Sequence, residues 1–214
     1  TRLQGDWSSD VCSSDLMDRE VSDLTVVILD RERHEKIIRE ARAAGARIRL
    51  ITDGDVVPSI DCGIQGSGIH MVLGSGGAPE GVLAAVGLKC LGGDMQARLL
   101  PHTAQEIERL HKMGIDDPSK VLTLDDLVKG DDCIFSETAI TDCTMLRGVR
   151  YFGGGARTST LVLRYKTGTV RFIETIHRFG DPKPSVPYTL VSQTKKLQAA
   201  IQLLTASYSN HLLP

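Results

Sequence analysis

The chain has 214 residues, 41% hydrophobic and 24% charged, with a formal net charge of −2 and a pI near 6.3. That apolar content supports one sizeable core, and the mild acidity gives no electrostatic case for a nucleic-acid partner. No apolar run approaches the ~18 residues that span a bilayer, so no membrane partner is expected.

In chain order, residues 6–16 are rich in Ser and Asp and carry no usable periodicity. They resemble one translated frame of a common sequencing adapter, so 1–16 is set aside as a non-native leader. Residues 24–29 (Leu-Thr-Val-Val-Ile-Leu) read as a buried strand. Asp30 suits the cap of a helix from 31 to about 44, with Ile37, Ile38 and Ala41 on its apolar side and Gly45 as its stop. A second strand, 47–52, leads into Asp53-Gly54-Asp55 and a short helical stretch. A third strand, ending at Leu73, meets a glycine turn at 74–77 and then a helix reaching Leu91, with Pro79 and Glu80 in its first turn.

Residues 103–113 form a charged amphipathic helix, with Thr103 and Glu106 at capping-box spacing. Residues 122–128 suit a short helix entered at Thr123. Strand signals follow at 133–136, 149–152, 159–165 and 169–176, with a hairpin turn at Lys166-Thr167-Gly168. Beyond Phe179, a Gly/Pro-rich stretch reads as a linker, followed by a weakly helical tail at 192–207. The fold class is therefore α/β: a parallel βαβ layer followed by antiparallel strands.

Ligands of parallel sheets bind beyond the carboxyl ends of the strands, where three polar loops converge here. Arg31 and Arg33 place two guanidiniums two residues apart, which suits a phosphate dianion and equally a solvated helix start. Asp53, Gly54 and Asp55 put two carboxylates around a flexible glycine, suited to sugar hydroxyls, to a metal, or to a helix cap. The glycine turn would offer N–H groups to an anion, yet Glu80 at the helix start would repel a bare phosphate. A divalent cation between them removes the conflict. His70 suits a packed role, and His34, His102, His111 and His177 have no spacing that suggests catalysis. Five scattered cysteines without a CxxC pair fit reduced thiols in a cytoplasmic protein.

Taken together, Arg31-Glu-Arg33-His, Asp53-Gly-Asp55, Gly-Ser-Gly-Gly77-Ala-Pro-Glu80-Gly and the later Gly-Ala-Arg157-Thr resemble class II fructose-1,6-bisphosphatase over roughly 21–179. The resemblance implies that 17–179 is the C-terminal part of a sugar-bisphosphatase domain, a partial αβαβα-sandwich-type fold of the lithium-sensitive phosphatases. It implies Mn²⁺- or Mg²⁺-dependent hydrolysis of the 1-phosphate of fructose 1,6-bisphosphate in gluconeogenic or Calvin-type sugar metabolism. Some members also take sedoheptulose 1,7-bisphosphate, and relatives form homo-oligomers. Carried over by position, Arg31 and Arg33 hold the distal phosphate, Asp53, Gly54 and Asp55 the sugar, Gly77 the substrate, and Glu80 a metal.

The chain departs from that pattern. The family's own N-terminal half, with its other metal carboxylates, has no counterpart here. The family's Ala-Thr-Gly-x-Thr-Asp-Gly stretch reads Glu137-Thr-Ala-Ile-Thr-Asp142-Cys143, and 180–214 has no counterpart. One carboxylate does not make a two-cation site, so the chain alone is expected to have little or no phosphatase activity and to expose apolar surface. Two other readings stay open: a nucleotide-binding module built on the glycine turn, and a non-catalytic subunit that binds a sugar phosphate.

Overall fold

The computed structural model describes residues 2–3 and 19–180. Most of the expected leader, and the expected linker and tail from 181 onward, lie outside the described residues. Strands are numbered in chain order, beginning with a two-residue strand, β1 (Arg2–Leu3).

β2 (Thr25–Leu29), β3 (Arg47–Ile51) and β4 (Met71–Leu73) form a parallel sheet in the order β3-β2-β4. β2 is central, which is why its sequence is a continuous apolar run: Val26, Val27 and Ile28 are all buried. A 3-10 turn, Glu32–His34, leads into the helix Glu35–Ala43. That helix lays Ile37, Ile38 and Ala41 on Val26 and Ile28, with Ile48, Met71 and Leu73 packed around them. It ends where Gly45 takes φ 89°, a left-handed turn that a side chain would strain.

The expected cap at Asp30 is not formed. Arg31 takes the cap position of the 3-10 turn, with no side-chain bond, while the exposed Asp30 donates its N–H to the Ile51 carbonyl at 2.8 Å. His34, fully buried at the end of the 3-10 turn, immediately precedes the α-helix.

Helices Val56–Cys62 and Ala78–Leu91 follow β3 and β4. The second buries Ala84, Ala85, Gly87, Leu88, Lys89 and Cys90 over several faces, as expected of a helix held between layers. β5 (Gln96–Ala97) pairs with β7 (Leu122–Thr123), and β6 (Leu99–Leu100) with β1. The helix Ala104–Lys112 starts at Thr103, whose hydroxyl accepts the Glu106 N–H at 3.2 Å. Residues 122–128 are not one helix. Leu122 and Thr123 are drawn into the pairing with β5, and only Leu124–Leu127 is helical, entered through a Thr123–Asp126 capping box.

The antiparallel layer contains β8 (Ile134–Thr138), β9 (Arg150–Phe152), β10 (Gly155–Arg164) and β11 (Thr169–Arg178). β10 is paired with β11 on one edge, and with β8 and β9 on the other. Leu161 and Leu163 of β10 join Ile60, Cys90, Phe135 and Leu146 in the core between the layers. Tyr151, Phe172 and Ile176 are more than half exposed, at 64, 59 and 57%.

Gly87 marks the tightest part of that core. A Cβ there would strike Ile60 Cδ1 and come within 3.5 Å of Phe135 Cδ2. Alanine gains ~1 kcal/mol in helix propensity, but Ile60 is wholly buried and has no room to swing. Gly87→Ala is therefore expected to destabilise by about 1–2 kcal/mol net, measured by urea unfolding. A stabilised variant would show that the two helices are not held at this separation.

Candidate functional site

Two of the polar loops are joined by a buried side chain. His34 is fully buried just past the end of β2. Its Nδ1 lies 2.9 Å from the Leu29 carbonyl, and its Nε2 accepts the Ser75 N–H at 2.9 Å. That acceptor role places the ring proton on Nδ1, which donates to Leu29. The Ser75 hydroxyl also stands 3.2 Å from Nε2. A Cβ on Gly74 would sit 3.2 Å from the imidazole Cε1, so the glycine lets the loop close onto the ring. The sequence offers only one sign of this role: a histidine beside two arginines at a strand exit. Nothing in its spacing reports burial.

Around this knot the expected site residues fall into two sets. Arg33 donates from Nε and Nη2 to the Ser75 carbonyl, at 3.1 and 3.0 Å. Asp55 Oδ2 lies 3.0 Å from where a Cβ on Gly76 would stand. The Glu80 carboxylate folds back over Gly77 into the space such an atom would need. Gly77 has an ordinary extended φ of −67°, so its requirement for glycine is steric. Thus Arg33, Asp55, Gly77 and Glu80 gather on residues 74–77.

The others stay on their own loops. Arg31 is exposed, with Nη1 on the Asp30 carbonyl at 3.1 Å. Asp53 Oδ1 accepts the N–H of Gly54 at 2.9 Å, and Gly54 takes φ 75°. Asp55 begins the helix Val56–Cys62 without a side-chain cap bond, which leaves its carboxylate free for the rim.

The sequence expectation placed a metal on Glu80. Asp55 and Glu80 flank consecutive glycines and supply hard oxygen donors of the kind Mg²⁺ and Mn²⁺ take. Among the described residues, however, no group of three or more His, Cys, Asp or Glu side chains could hold a metal ion. The cations need about six ligands each, so these residues do not complete a shell, and no step is assigned through a metal.

A second pair of carboxylates lies inside the molecule. Asp61 is fully buried, and both its oxygens lack hydrogen-bond partners by strict geometry, as does Glu137 Oε1. Burial raises the Asp61 pKa, partly offset by the nearby Thr144 hydroxyl and the Arg49 charge. Burial, and then the Asp61 charge, push Glu137 up to about 7. Glu137 stands where the resembled family has alanine. In the same stretch Asp142 closes the loop by accepting from Gly148 N–H at 2.8 Å and from Arg150 Nη2 at 2.7 and 2.6 Å. Those Arg150 bonds first, and the Gly148 bond second, hold its carboxyl below the usual range.

Residues 12–177 match a family described as bacterial fructose-1,6-bisphosphatase, glpX-encoded. The chain is 47% identical over 180 residues to the D-fructose 1,6-bisphosphatase class 2/sedoheptulose 1,7-bisphosphatase of Synechococcus sp. (strain JA-3-3Ab), covering 78% of the chain and 52% of that protein. It is 45% identical over 179 residues to the protein of the same name from Crocosphaera subtropica, covering 78% and 52%. For that of Trichodesmium erythraeum the identity is 43% over 182 residues, covering 79% and 53%. The chain spans about half the length of these curated relatives.

His34→Ala removes both ring bonds and leaves a void, and is expected to cost about 2–4 kcal/mol in chemical denaturation. A loss under 1 kcal/mol would mean that the knot is not structural. For Glu137 the folded pKa lies above the unfolded value. Its contribution is therefore complete below about 4.5 and lost as pH rises through about 7. Stability should fall by on the order of 2 kcal/mol between pH 5 and pH 8. Glu137→Gln should flatten that slope in pH-resolved thermal melts, whereas an unchanged slope would assign it to other groups.

Proposed function

Because the chain belongs to the family of bacterial, glpX-encoded fructose-1,6-bisphosphatases, we propose that it supplies the substrate grip and one metal carboxylate of a metal-dependent sugar-bisphosphate phosphatase. The observation that carries this reading is the gathering of Arg33, Asp55, Gly77 and Glu80 on one glycine loop at the carboxyl ends of β2, β3 and β4. The substrate class follows from the relatives' names: fructose 1,6-bisphosphate, or the seven-carbon sedoheptulose 1,7-bisphosphate.

Arg31 and Arg33 hold the phosphate distal to the reaction, each guanidinium able to bond it through two N–H groups. Arg33 is already oriented by the Ser75 carbonyl, so it meets the phosphate with little loss of freedom. Asp53 and Asp55 accept from the sugar hydroxyls across Gly54. Gly77 lets the ligand approach the backbone, and Glu80 turns a carboxylate toward the same point. When bound, Mn²⁺ or Mg²⁺ would activate water and stabilise the leaving oxygen. The remaining ligands would come from outside the described residues, in a parent of about the relatives' length. The parent would act in cytoplasmic sugar metabolism and as a homo-oligomer.

The test is Mn²⁺-dependent phosphate release from fructose 1,6-bisphosphate by a parent-length protein carrying this sequence, beside the present chain. The parent-length protein is expected to turn over and the present chain to release little or no phosphate. Glu80→Gln should lower kcat by about 100-fold or more, as loss of a metal ligand does. Arg33→Ala should raise KM by about tenfold with kcat little changed, because the distal phosphate contact does not alter during reaction. Turnover by the present chain would refute the division of the site. No turnover from a folded parent would favour a non-catalytic sugar-phosphate subunit.

A further inference from the structure

Two cysteines that sequence spacing gives no reason to connect lie side by side in the core between the layers. Cys90 is buried on the last turn of the helix Ala78–Leu91, and Cys133 is half-buried just before β8. They are 43 residues apart in sequence, yet their Sγ atoms are 3.7 Å apart, and Cys90 also donates weakly to the Cys133 carbonyl at 3.6 Å. Cys90 belongs to the core cluster of Ile60, Phe135 and Leu161, and Cys133 packs against it, so the two thiols are held as neighbours. We propose that Cys90 and Cys133 are a dithiol–disulfide modification site, oxidised by hydroperoxides, that locks the Glu80 helix onto the antiparallel layer.

The geometry is close to that of the bond. A disulfide needs ~2.0 Å between sulfurs, so the two must approach by about 1.7 Å, within reach of small side-chain rotations. The other described cysteines are differently placed. Cys143 Sγ donates to the Leu146 carbonyl at 3.5 Å, and burial followed by the Asp61 charge pushes Cys62 up to about 12. Cys133 is the more exposed member of the pair. Cys90, whose sulfur stands 3.7 Å away, is placed for the second step.

In the first step the Cys133 sulfur attacks one oxygen of the hydroperoxide. The O–O bond breaks, leaving a sulfenic acid on Cys133 and releasing water, or an alcohol from an organic hydroperoxide. Cys90 sulfur then attacks the Cys133 sulfur. The S–S bond forms as the S–O bond breaks, and the Cys90 proton leaves with the hydroxide as a second water. Both thiols are oxidised and the peroxide is reduced. A small dithiol returns the pair to its starting state. This inference does not depend on the phosphatase reading.

The experiment treats the full folded chain with a small excess of hydrogen peroxide, blocks the remaining thiols under denaturing conditions, and maps peptides without reduction. The expected result is one dominant cross-linked pair, Cys90 with Cys133, two hydrogens lighter than its separate peptides and lost on adding dithiothreitol. The closed form should melt on the order of 5–10 °C higher. The same treatment in guanidinium should spread pairing over the other cysteines. Cys133→Ser should leave Cys90 open to alkylation after peroxide, a second arm that reads the chemistry without the cross-link. The proposal is overturned if both thiols stay blockable while other cysteines oxidise. Arrest of Cys133 at sulfinic acid, or the unfolded chain's mixture of pairs, would overturn it equally. A cross-link that leaves the melting temperature unchanged would overturn the locking role.

Discussion

An imidazole is tolerated in a protein interior when its ring nitrogens find partners, and His34 finds them on two different segments. One bond fixes the ring to the exit of β2, and the other reaches across to the exit of β4. The remaining geometry follows from that span. Gly74 must lack a side chain because the ring occupies its flank. Ser75, held by its N–H, presents its carbonyl outward, where Arg33 takes it with two donors. The next two residues then lie under the carboxylates of Asp55 and Glu80. A neutral buried group thus positions the charged ones around it.

The interior handles its ionisable groups unevenly. Lys89 is buried, yet its ammonium reaches Asp125 at 3.0 Å and the Val128 carbonyl at 2.6 Å, and sits 5.3 Å from the centre of the Tyr165 ring. Burial alone would disfavour its charge, but the Asp125 bond wins and raises its pKa. Asp61 and Glu137 receive much less compensation, and both carboxyls move toward the protonated form. The two cases differ in partners more than in depth, which is the usual difference between a satisfied and an unsatisfied buried charge.

Much of the parallel layer was legible in the sequence because its signals are local. The apolar run of β2, the Ile37–Ile38–Ala41 stripe, the Gly45 stop and the loops that hold Arg33, Asp55 and Glu80 all follow from period and punctuation. The antiparallel strands were also legible, although β10 begins four residues before its expected start because β9 pairs with that extension. What was not legible depends on neighbours far along the chain. Asp30 has the right chemistry for a cap, but a 3-10 turn entered at Arg31 intervenes and the α-helix starts only at Glu35. Leu122 and Thr123 fit a helix until β5 offers an edge. The stretch from Glu137 to Cys143 was read only as a departure from the resembled pattern, and nothing in its local context reports the influence of Asp61 on Glu137. Cys90 and Cys133 looked unrelated for the same reason.

β2 has a hydrogen-bonded partner on each side and apolar side chains packed around it. Its backbone amides should be among the last in the molecule to exchange with solvent, while the loops leaving it exchange early. The rim loops joined through His34 are therefore carried on the best-protected strand of the layer. Loss of the rim's geometry is then tied to cooperative unfolding of the sheet's centre.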